Sequence, residues 1–363
     1  MELFPTKYND ILKKVDAIRP IKYTKNRNFR DGDVTKLSPY VSRGVISTRF
    51  IYEKLLEKEI SLRKCEKFIQ ELAWRDFWQQ IWVIKGELIN KDLKRPQDDV
   101  KDFKIAKSLL DAKTGINSVD EEINNLYREG YMHNHMRMYV ASIATNIAKS
   151  HWRLPALWMY HHLLDGDWAS NALSWQWVAG SNSNKKYCAN QDNINRYFYS
   201  NQKLTFLDKS YEFISSMKIP SQLNEKYDIK LKTDLPKSKE IEIDVSLPTL
   251  IYNYYNIDPL WRKNEKVNRV FIFEPEIFKK YPISQKCIDF AISLSKNIKD
   301  IQLFIGSFDD LRLNYKLSDI IFKEHPLNTH YHGTKDERDW LFKIEGKYLS
   351  FFKYWNKIKK KLI

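Results

Sequence analysis

Only three cysteines, Cys65, Cys188 and Cys287, occur in 363 residues, far apart and without a CxxC pair. They supply neither a disulfide framework nor the thiolates that an iron-sulfur cluster needs. Among the eight histidines, His133 and His135 are two apart and diverge on a helix, as do the adjacent His161 and His162, so no metal is expected. Glycine is scarce too, 10 in all, and no GxGxxG run marks a dinucleotide loop. No stretch of about 18 apolar residues exists, and Met1 to Lys14 lacks a basic segment followed by an apolar one. Neither a membrane span nor an export signal is expected, which places the chain in the cytoplasm. Acidic residues are outnumbered: 61 Lys and Arg stand against 46 Asp and Glu, a formal net charge of +15. A surface this basic most often meets phosphate, and nucleic acid is favoured over an anionic membrane.

What is present argues for a folded chain. A hydrophobic fraction of 43%, with 21 Tyr, 19 Phe and 11 Trp, is enough apolar surface to offset chain entropy. The length favours two domains. From about Pro39 to Tyr211 apolar residues recur at helical spacing. The lysine-rich stretch Lys218 to Glu242, holding Pro220 and Pro236, has little periodicity and reads as a linker. Beyond it, Thr249 to Tyr255, Arg269 to Phe273, Ile301 to Ile305 and Asp319 to Phe322 are short β-branched and aromatic runs, with helical spacing at Ser284 to Ile298. Strand, helix and strand in alternation predict a small parallel sheet flanked by helices. The fold class expected is mainly α: a helical domain over 1–215, a linker over 216–246 and a small α/β domain over 247–363. The tail Tyr354 to Lys361 is basic and expected to be solvated.

Four segments carry chemistry. In Val34-Thr35-Lys36-Leu37-Ser38-Pro39-Tyr40, Ser38 can cap a helix with Pro39 in its first turn, and such a terminus suits phosphate. In Phe68 to Trp78, Glu71, Trp74, Arg75 and Trp78 fall at i, i+3, i+4 and i+7, which lays a carboxylate, two indoles and a guanidinium along one helix face. The plain alternative is two Trp packed on a neighbouring helix beside a Glu71–Arg75 ion pair. In Gly130 to Met138, Asn134, Arg137, Met138 and Ala141 share a face, while Val140, Ile143, Ala144 and Ile147 supply a buried one. The fourth runs from His151-Trp152 through Leu164-Asp165-Gly166-Asp167-Trp168-Ala169-Ser170-Asn171 to Ser174-Trp175-Gln176-Trp177, and Asp165 can pair with Arg137.

Taken in this order, from about Tyr23 to Gly180, these segments resemble the flavin-binding helical domain of photolyases and cryptochromes. The resemblance implies FAD as cofactor, with its phosphates near Thr35, Leu37 and Ser38, and Tyr23 and Arg75 helping to hold it. It implies that Arg137 and Asp165 pair beside the isoalloxazine ring, that Asp167 binds nearby and that Asn171 faces N5. DNA-repairing members carry Asn at that last position. Members that repair (6-4) photoproducts place His where this chain has Asn134 and Met138, so the cyclobutane pyrimidine dimer is the expected substrate. Glu71 would then hydrogen-bond the dimer with help from Asn134, and Trp74, Met138 and Trp177 would wall the flipped-out bases. Trp175 and Trp152 match the first two members of the tryptophan chain that photoreduces the flavin.

The same resemblance implies a light-driven carbon-carbon lyase that acts on dimer-containing DNA as a monomer. Departures from the family pattern are also legible. The third tryptophan has no counterpart in Pro96 to Lys113, where Phe103 is the one aromatic. Val34 replaces a hydroxylated residue, and Asn182 to Arg196 differs from the common bacterial pattern. Arg269 to Pro275 resembles a strand and turn of the antenna domain, which implies a displaced, permuted order; the sequence names no antenna chromophore. Two other readings are a cryptochrome-like photoreceptor without repair and a basic nucleic-acid-binding protein without flavin.

Overall fold

The computed structural model describes residues 3–362; Met1, Glu2 and Ile363, the outer ends of the two expected domains, lie outside the described residues. The chain forms two compact units. Among the described residues, one comprises 3–19, 35–84 and 232–362, and the other 20–34 and 85–231. Residues 3–19 and 35–84 therefore lie with the C-terminal segment, whereas the helical periodicity had grouped them with the rest of the helical region.

The first unit is built around a parallel sheet of five strands. Its spatial order is Ile301–Ile305, Asn268–Phe273, Thr249–Tyr252, Ile320–Lys323 and Thr334–Asp336, with every pairing parallel. Near-continuous apolar runs suit strands covered on both faces, and all four residues of Thr249–Tyr252 are buried. One face packs Ile251, Val270, Ile272, Phe304, Ile320 and Phe322 against Phe308 and Leu311 of the helix Phe308–Asn314. The helix expected near Ser284 to Ile298 spans Gln285–Ser295. The fifth strand has no sequence signal, because Thr334-Lys335-Asp336 is a short polar edge. Gly333 before it has φ +140, and a Cβ there would lie 2.3 Å from the Ile320 carbonyl oxygen. Strand order reverses at Thr249–Tyr252: the chain builds outward to one side and then returns to the other.

The 20-residue helix Glu66–Lys85 joins this unit through polar and aromatic contacts. The buried Asp76 carboxylate accepts from Thr48 Oγ1 (2.9 Å) and from the Leu341 amide (2.6 Å), and Arg338 donates to Gln79 Oε1 (2.5 Å). Helix Phe351–Lys359 buries Phe351, Tyr354, Trp355 and Ile358, an i, i+3, i+4, i+7 stripe. Phe351 stacks on Trp74 with centroids 3.5 Å apart and planes 6° apart. Gln80 donates to the Tyr354 hydroxyl (3.2 Å), and Lys359 Nζ meets Glu66 Oε1 at 2.7 Å. The tail expected to be solvated is thus a half-buried amphipathic helix. Its lysines face outward together with Asn356 and Phe352, which is 64% exposed.

The second unit is helical: Asn117–Glu129, Asn134–Ser142, Arg153–His162, Trp168–Ala179 and Gln191–Phe198 are its longer helices. A π-helical turn, Ile143–Ile147, follows Asn134–Ser142, a widening that often marks functional helices. The stretch expected as a linker is irregular, with a short 3-10 turn at Ser221–Leu223 and a two-residue strand, Lys226–Tyr227, antiparallel to Ile105–Ala106. The fold is therefore an even mixture of helical unit and parallel sheet with helices, less purely α than the periodicity implied.

Candidate functional site

Several of the expected residues converge within the second unit. Gly130, with φ 68, ends helix Asn117–Glu129 and donates its N–H to Leu126 O; the left-handed turn favours glycine. His133 then caps the next helix, its Nδ1 accepting from the His135 amide (3.2 Å), while its own N–H donates to Glu122 Oε2 (3.0 Å). Burial, with smaller contributions from His135 and Arg137, pushes the His133 pKa down to about 4. The imidazole therefore stays neutral at physiological pH and keeps its acceptor.

One turn further along, Arg137 reaches back. Its Nε donates to Met132 O (2.9 Å) and its Nη2 to Asp165 Oδ2 (2.9 Å), and its guanidinium lies 5.3 Å from the Tyr131 ring centroid. The Asp165 side chain is 5% exposed and that of Arg137 20%, so the pair predicted from residue types 28 positions apart is a largely desolvated ion pair. Asp167 is buried and caps helix Trp168–Ala179, its Oδ2 accepting from Ser170 Oγ (2.6 Å) and from the Ser170 amide (3.4 Å). In the first turn of that helix Asn171 donates its amide to Ala156 O (2.8 Å), which fixes its side-chain orientation. Asn134 is exposed and Met138 half-buried on the Arg137 helix. Trp177 is 39% exposed, its ring 5.8 Å from Tyr187. Tyr23 is half-buried in helix Pro20–Asn26.

The two tryptophans assigned to electron transfer, Trp175 and Trp152, are both buried in this unit. Trp152 donates its indole N–H to Asp92 Oδ1 (2.7 Å) and its backbone N–H to Gln97 Oε1 (2.9 Å). His151 Nε2 lies 3.3 Å from the same Asp92 carboxylate, and Phe103, 69% exposed, stacks on His151 at 4.9 Å. Asp92 was missed by the sequence reading: it lies 60 residues from Trp152, in a stretch with no periodic pattern, and nothing local announces the contact.

The remaining candidates belong to the first unit. Ser38 is the first residue of a five-residue helix, Ser38–Ser42, and the preceding Leu37 makes no side-chain cap bond. The expected Ser38 cap is corrected accordingly: the turn starts one residue early, with Tyr40 and Val41 amides donating to Leu37 O. Thr35 Oγ1 accepts from the Leu37 amide at 3.3 Å. On helix Glu66–Lys85, Glu71 pairs with Lys67 at 3.2 Å and Arg75 Nη1 donates to Ser42 Oγ at 2.9 Å. Trp74 stacks on Phe351 of helix Phe351–Lys359, as the plain alternative of a tryptophan packed on a neighbouring helix has it.

Comparison with known proteins locates a boundary for the likeness. Residues 68–244 match the family described as FAD binding domain of DNA photolyase. The chain is 33% identical over 167 residues to a deoxyribodipyrimidine photo-lyase of Alkalihalophilus pseudofirmus, covering 43% of this chain and 34% of the relative. It is 30% identical over 212 residues to the chloroplastic/mitochondrial cryptochrome DASH of Arabidopsis thaliana, covering 56% of this chain and 35% of the relative. The crystal structure of a bacterial class III photolyase from Agrobacterium tumefaciens aligns with 53% of this chain and 44% of its own, at 29% identity and a TM-score of 0.44. The chain thus spans about a third of the length of the curated relatives it matches. Among the described residues no helix is long and apolar enough to cross a membrane.

Proposed function

From the premise that this chain carries an FAD-binding domain of the photolyase and cryptochrome family, we propose that it repairs cyclobutane pyrimidine dimers in DNA under blue light. The observation that supports this best is the Arg137–Asp165 pair. A largely desolvated guanidinium and carboxylate at 2.9 Å, with the cap Asp167 and the oriented amide of Asn171 on the following helix, is a costly arrangement for stability alone. It suits a flat, polar, partly charged ring, and the donor set fits a flavin. Bound there, reduced FAD supplies the photoexcited electron that splits the dimer.

The chain's own residues have assigned tasks in this reading. Arg137 offers a fixed positive charge to ring atoms that gain negative charge, and Asp165 holds that guanidinium in place. Asp167 secures the helix on which Asn171, Trp175 and Trp177 are mounted. Tyr23, Thr35, Leu37, Ser38 and Arg75 keep their proposed flavin contacts on the resemblance alone. Glu71 and Asn134 would hydrogen-bond the dimer, and Met138, Trp177 and Trp74 would pack against its bases. Trp175 and Trp152 would pass an electron inward when the flavin is oxidised, with Asp92 stabilising positive charge on the Trp152 indole through its 2.7 Å hydrogen bond. The net charge of +15 would draw the DNA backbone, with affinity that falls as salt rises.

A second reading is a cryptochrome-like photoreceptor flavoprotein without repair, and one contact favours it. One face of Trp74, a proposed lesion wall, is covered by Phe351. The test has two steps: the absorbance spectrum of the purified protein, then light-dependent repair of a dimer-containing oligonucleotide. Yellow protein that repairs supports the first reading; yellow protein that leaves the dimer intact supports the second; colourless protein that refuses added FAD overturns both.

A further inference from the structure

The helical unit holds a row of aromatic rings that the flavin reading does not use. It begins at Trp177, 39% exposed, whose ring centroid lies 5.8 Å from that of Tyr187. Tyr187 lies 6.3 Å from Tyr139, with planes 21° apart, and Tyr139 lies 4.7 Å from His135. From His135 the row continues to Tyr197 at 4.6 Å, to Phe29 at 5.1 Å, and to Tyr199, stacked on Phe29 at 5.9 Å and 20°. Rings whose centroids are roughly 4.5–7 Å apart are in contact, so the row is continuous from one exposed ring to another. Neither Trp175 nor Trp152 is a member.

The tyrosines along it differ in what they can do with a proton. A phenol gives up an electron readily at neutral pH only when its O–H proton leaves too, because the oxidised phenol is a strong acid. Tyr139 is fully buried, and burial before any other cause holds its phenol well above the ordinary pKa. Burial likewise pushes Tyr187 up to about 12. Charge left on either ring would be desolvated. Tyr199, in contrast, is 62% exposed, and its hydroxyl donates to Asp31 Oδ1 at 2.7 Å. That hydrogen bond raises the Tyr199 pKa and places a base in line with the O–H bond. An oxidising equivalent in the row therefore comes to rest at Tyr199.

The backbone points to the same residue. Tyr199 closes helix Gln191–Phe198 in the left-handed region, at φ 53 and ψ 43, where glycine or asparagine is usual and a bulky residue is an outlier. Such strain is kept where the surroundings over-determine it, often because the side chain is used. Here it accompanies a ring held on Phe29 and a hydroxyl held on Asp31.

We propose that this row conducts one-electron oxidation from Trp177 to the surface, with Tyr199 as terminal donor and Asp31 as acceptor of its proton. When a one-electron oxidant takes an electron from the Trp177 indole, Tyr187, Tyr139 and Tyr197 pass an electron back in turn, and Tyr199 supplies the last. The Tyr199 O–H bond breaks, the proton forms a new O–H bond on Asp31, and a neutral phenoxyl radical remains while Trp177 is restored. His135 and Phe29 bridge the tyrosines without being oxidised. The unit thereby moves an oxidising equivalent to a place where a thiol in solution can reduce it. Any one-electron oxidant that reaches the exposed indole starts the sequence, so the proposal does not depend on bound flavin.

The test is oxidation of the full chain, as purified and in the dark, by azide radicals, which take electrons from indoles in preference to neutral phenols. A nitroso spin trap is present, and trapped tyrosines are mapped by peptide mass spectrometry. The adduct is expected on Tyr199. Tyr187→Phe keeps the ring but interrupts the row, and should remove the Tyr199 adduct while Tyr227, 43% exposed and outside the row, is trapped to the same extent as before. Asp31→Asn keeps an oxygen acceptor but removes the base, and should likewise lose the Tyr199 adduct. Should Tyr187→Phe fail to fold, Trp177→Phe, at an exposed ring, interrupts the row at its start with the same expected loss. A Tyr199 adduct that persists in these variants would mean direct oxidation from solvent and would overturn the proposal, as would its absence from the unaltered protein. The flavin reading stands or falls separately, on the absorbance and repair measurements.

Discussion

Removal of the Asp165 carboxylate separates what the ion pair does for the fold from what it is proposed to do for the flavin. In Asp165→Ala, Arg137 keeps the Met132 carbonyl and the Tyr131 ring face but loses its counter-charge. Breaking a buried pair from one side costs about 3–5 kcal/mol; since the Arg137 side chain is one-fifth exposed, water recovers part of that, and about 2–3 kcal/mol is expected. With a urea slope of about 3 kcal/mol/M, the unfolding midpoint of the helical unit should fall by roughly 1 M, read by circular dichroism in apoprotein. The double substitution Arg137→Met with Asp165→Leu fills the same volume without charge, and such replacements are often neutral for stability. It should regain most of the lost stability and still retain little FAD by absorbance. A double variant that holds FAD as tightly as the unaltered protein would refute the placement of the pair beside the flavin. A single variant that loses less than about 1 kcal/mol would refute the claim that the pair is desolvated.

Three further outcomes are expected. Glu71→Ala should lower dimer repair per photon about tenfold while bound FAD stays constant, because the lost acceptor matters only with lesion present; loss of flavin in this variant would show that the role was misassigned. Phe351→Ala removes a buried ring stacked on Trp74 and should lower the stability of the sheet-containing unit by about 3–4 kcal/mol in chemical denaturation, and an unchanged midpoint would mean that the C-terminal helix is not docked in solution. Asp76 is raised by burial from 3.8 to about 6, so the native state binds its proton more tightly than the unfolded chain. That contribution to stability is fully present below about pH 4 and is lost as pH rises through about 6, amounting to at most about 3 kcal/mol. The difference in unfolding free energy between the unaltered protein and Asp76→Asn should accordingly change across that window and be flat above pH 7, and a difference constant with pH would remove the assignment.

Contacts made within a turn or across a short connection were legible; contacts made by chain segments far apart were not. The Arg137–Asp165 pair could be anticipated because charge inside an apolar helical pattern demands a partner, and Asp165-Gly166-Asp167 is the first source of carboxylate after Arg137. The parallel sheet was equally readable, since Arg269 to Phe273 and Ile301 to Ile305 are β-branched runs separated by one helical stretch. Ser38 was misread as a cap because composition cannot place the first helical residue to within one position. The tail was misread for a different reason: Phe351, Tyr354, Trp355 and Ile358 are spaced for a helix, but five lysines from Lys353 to Lys361 mask the stripe unless the positions are projected around an axis. That error matters for function. A solvated tail leaves Trp74 open as a lesion wall, whereas a docked helix places Phe351 against its face. The same stack that stabilises the unit therefore opposes the contact on which dimer binding through Trp74 depends. Repair through that face requires the Phe351–Trp74 stack to open, and the free energy of opening would be subtracted from the affinity for damaged DNA.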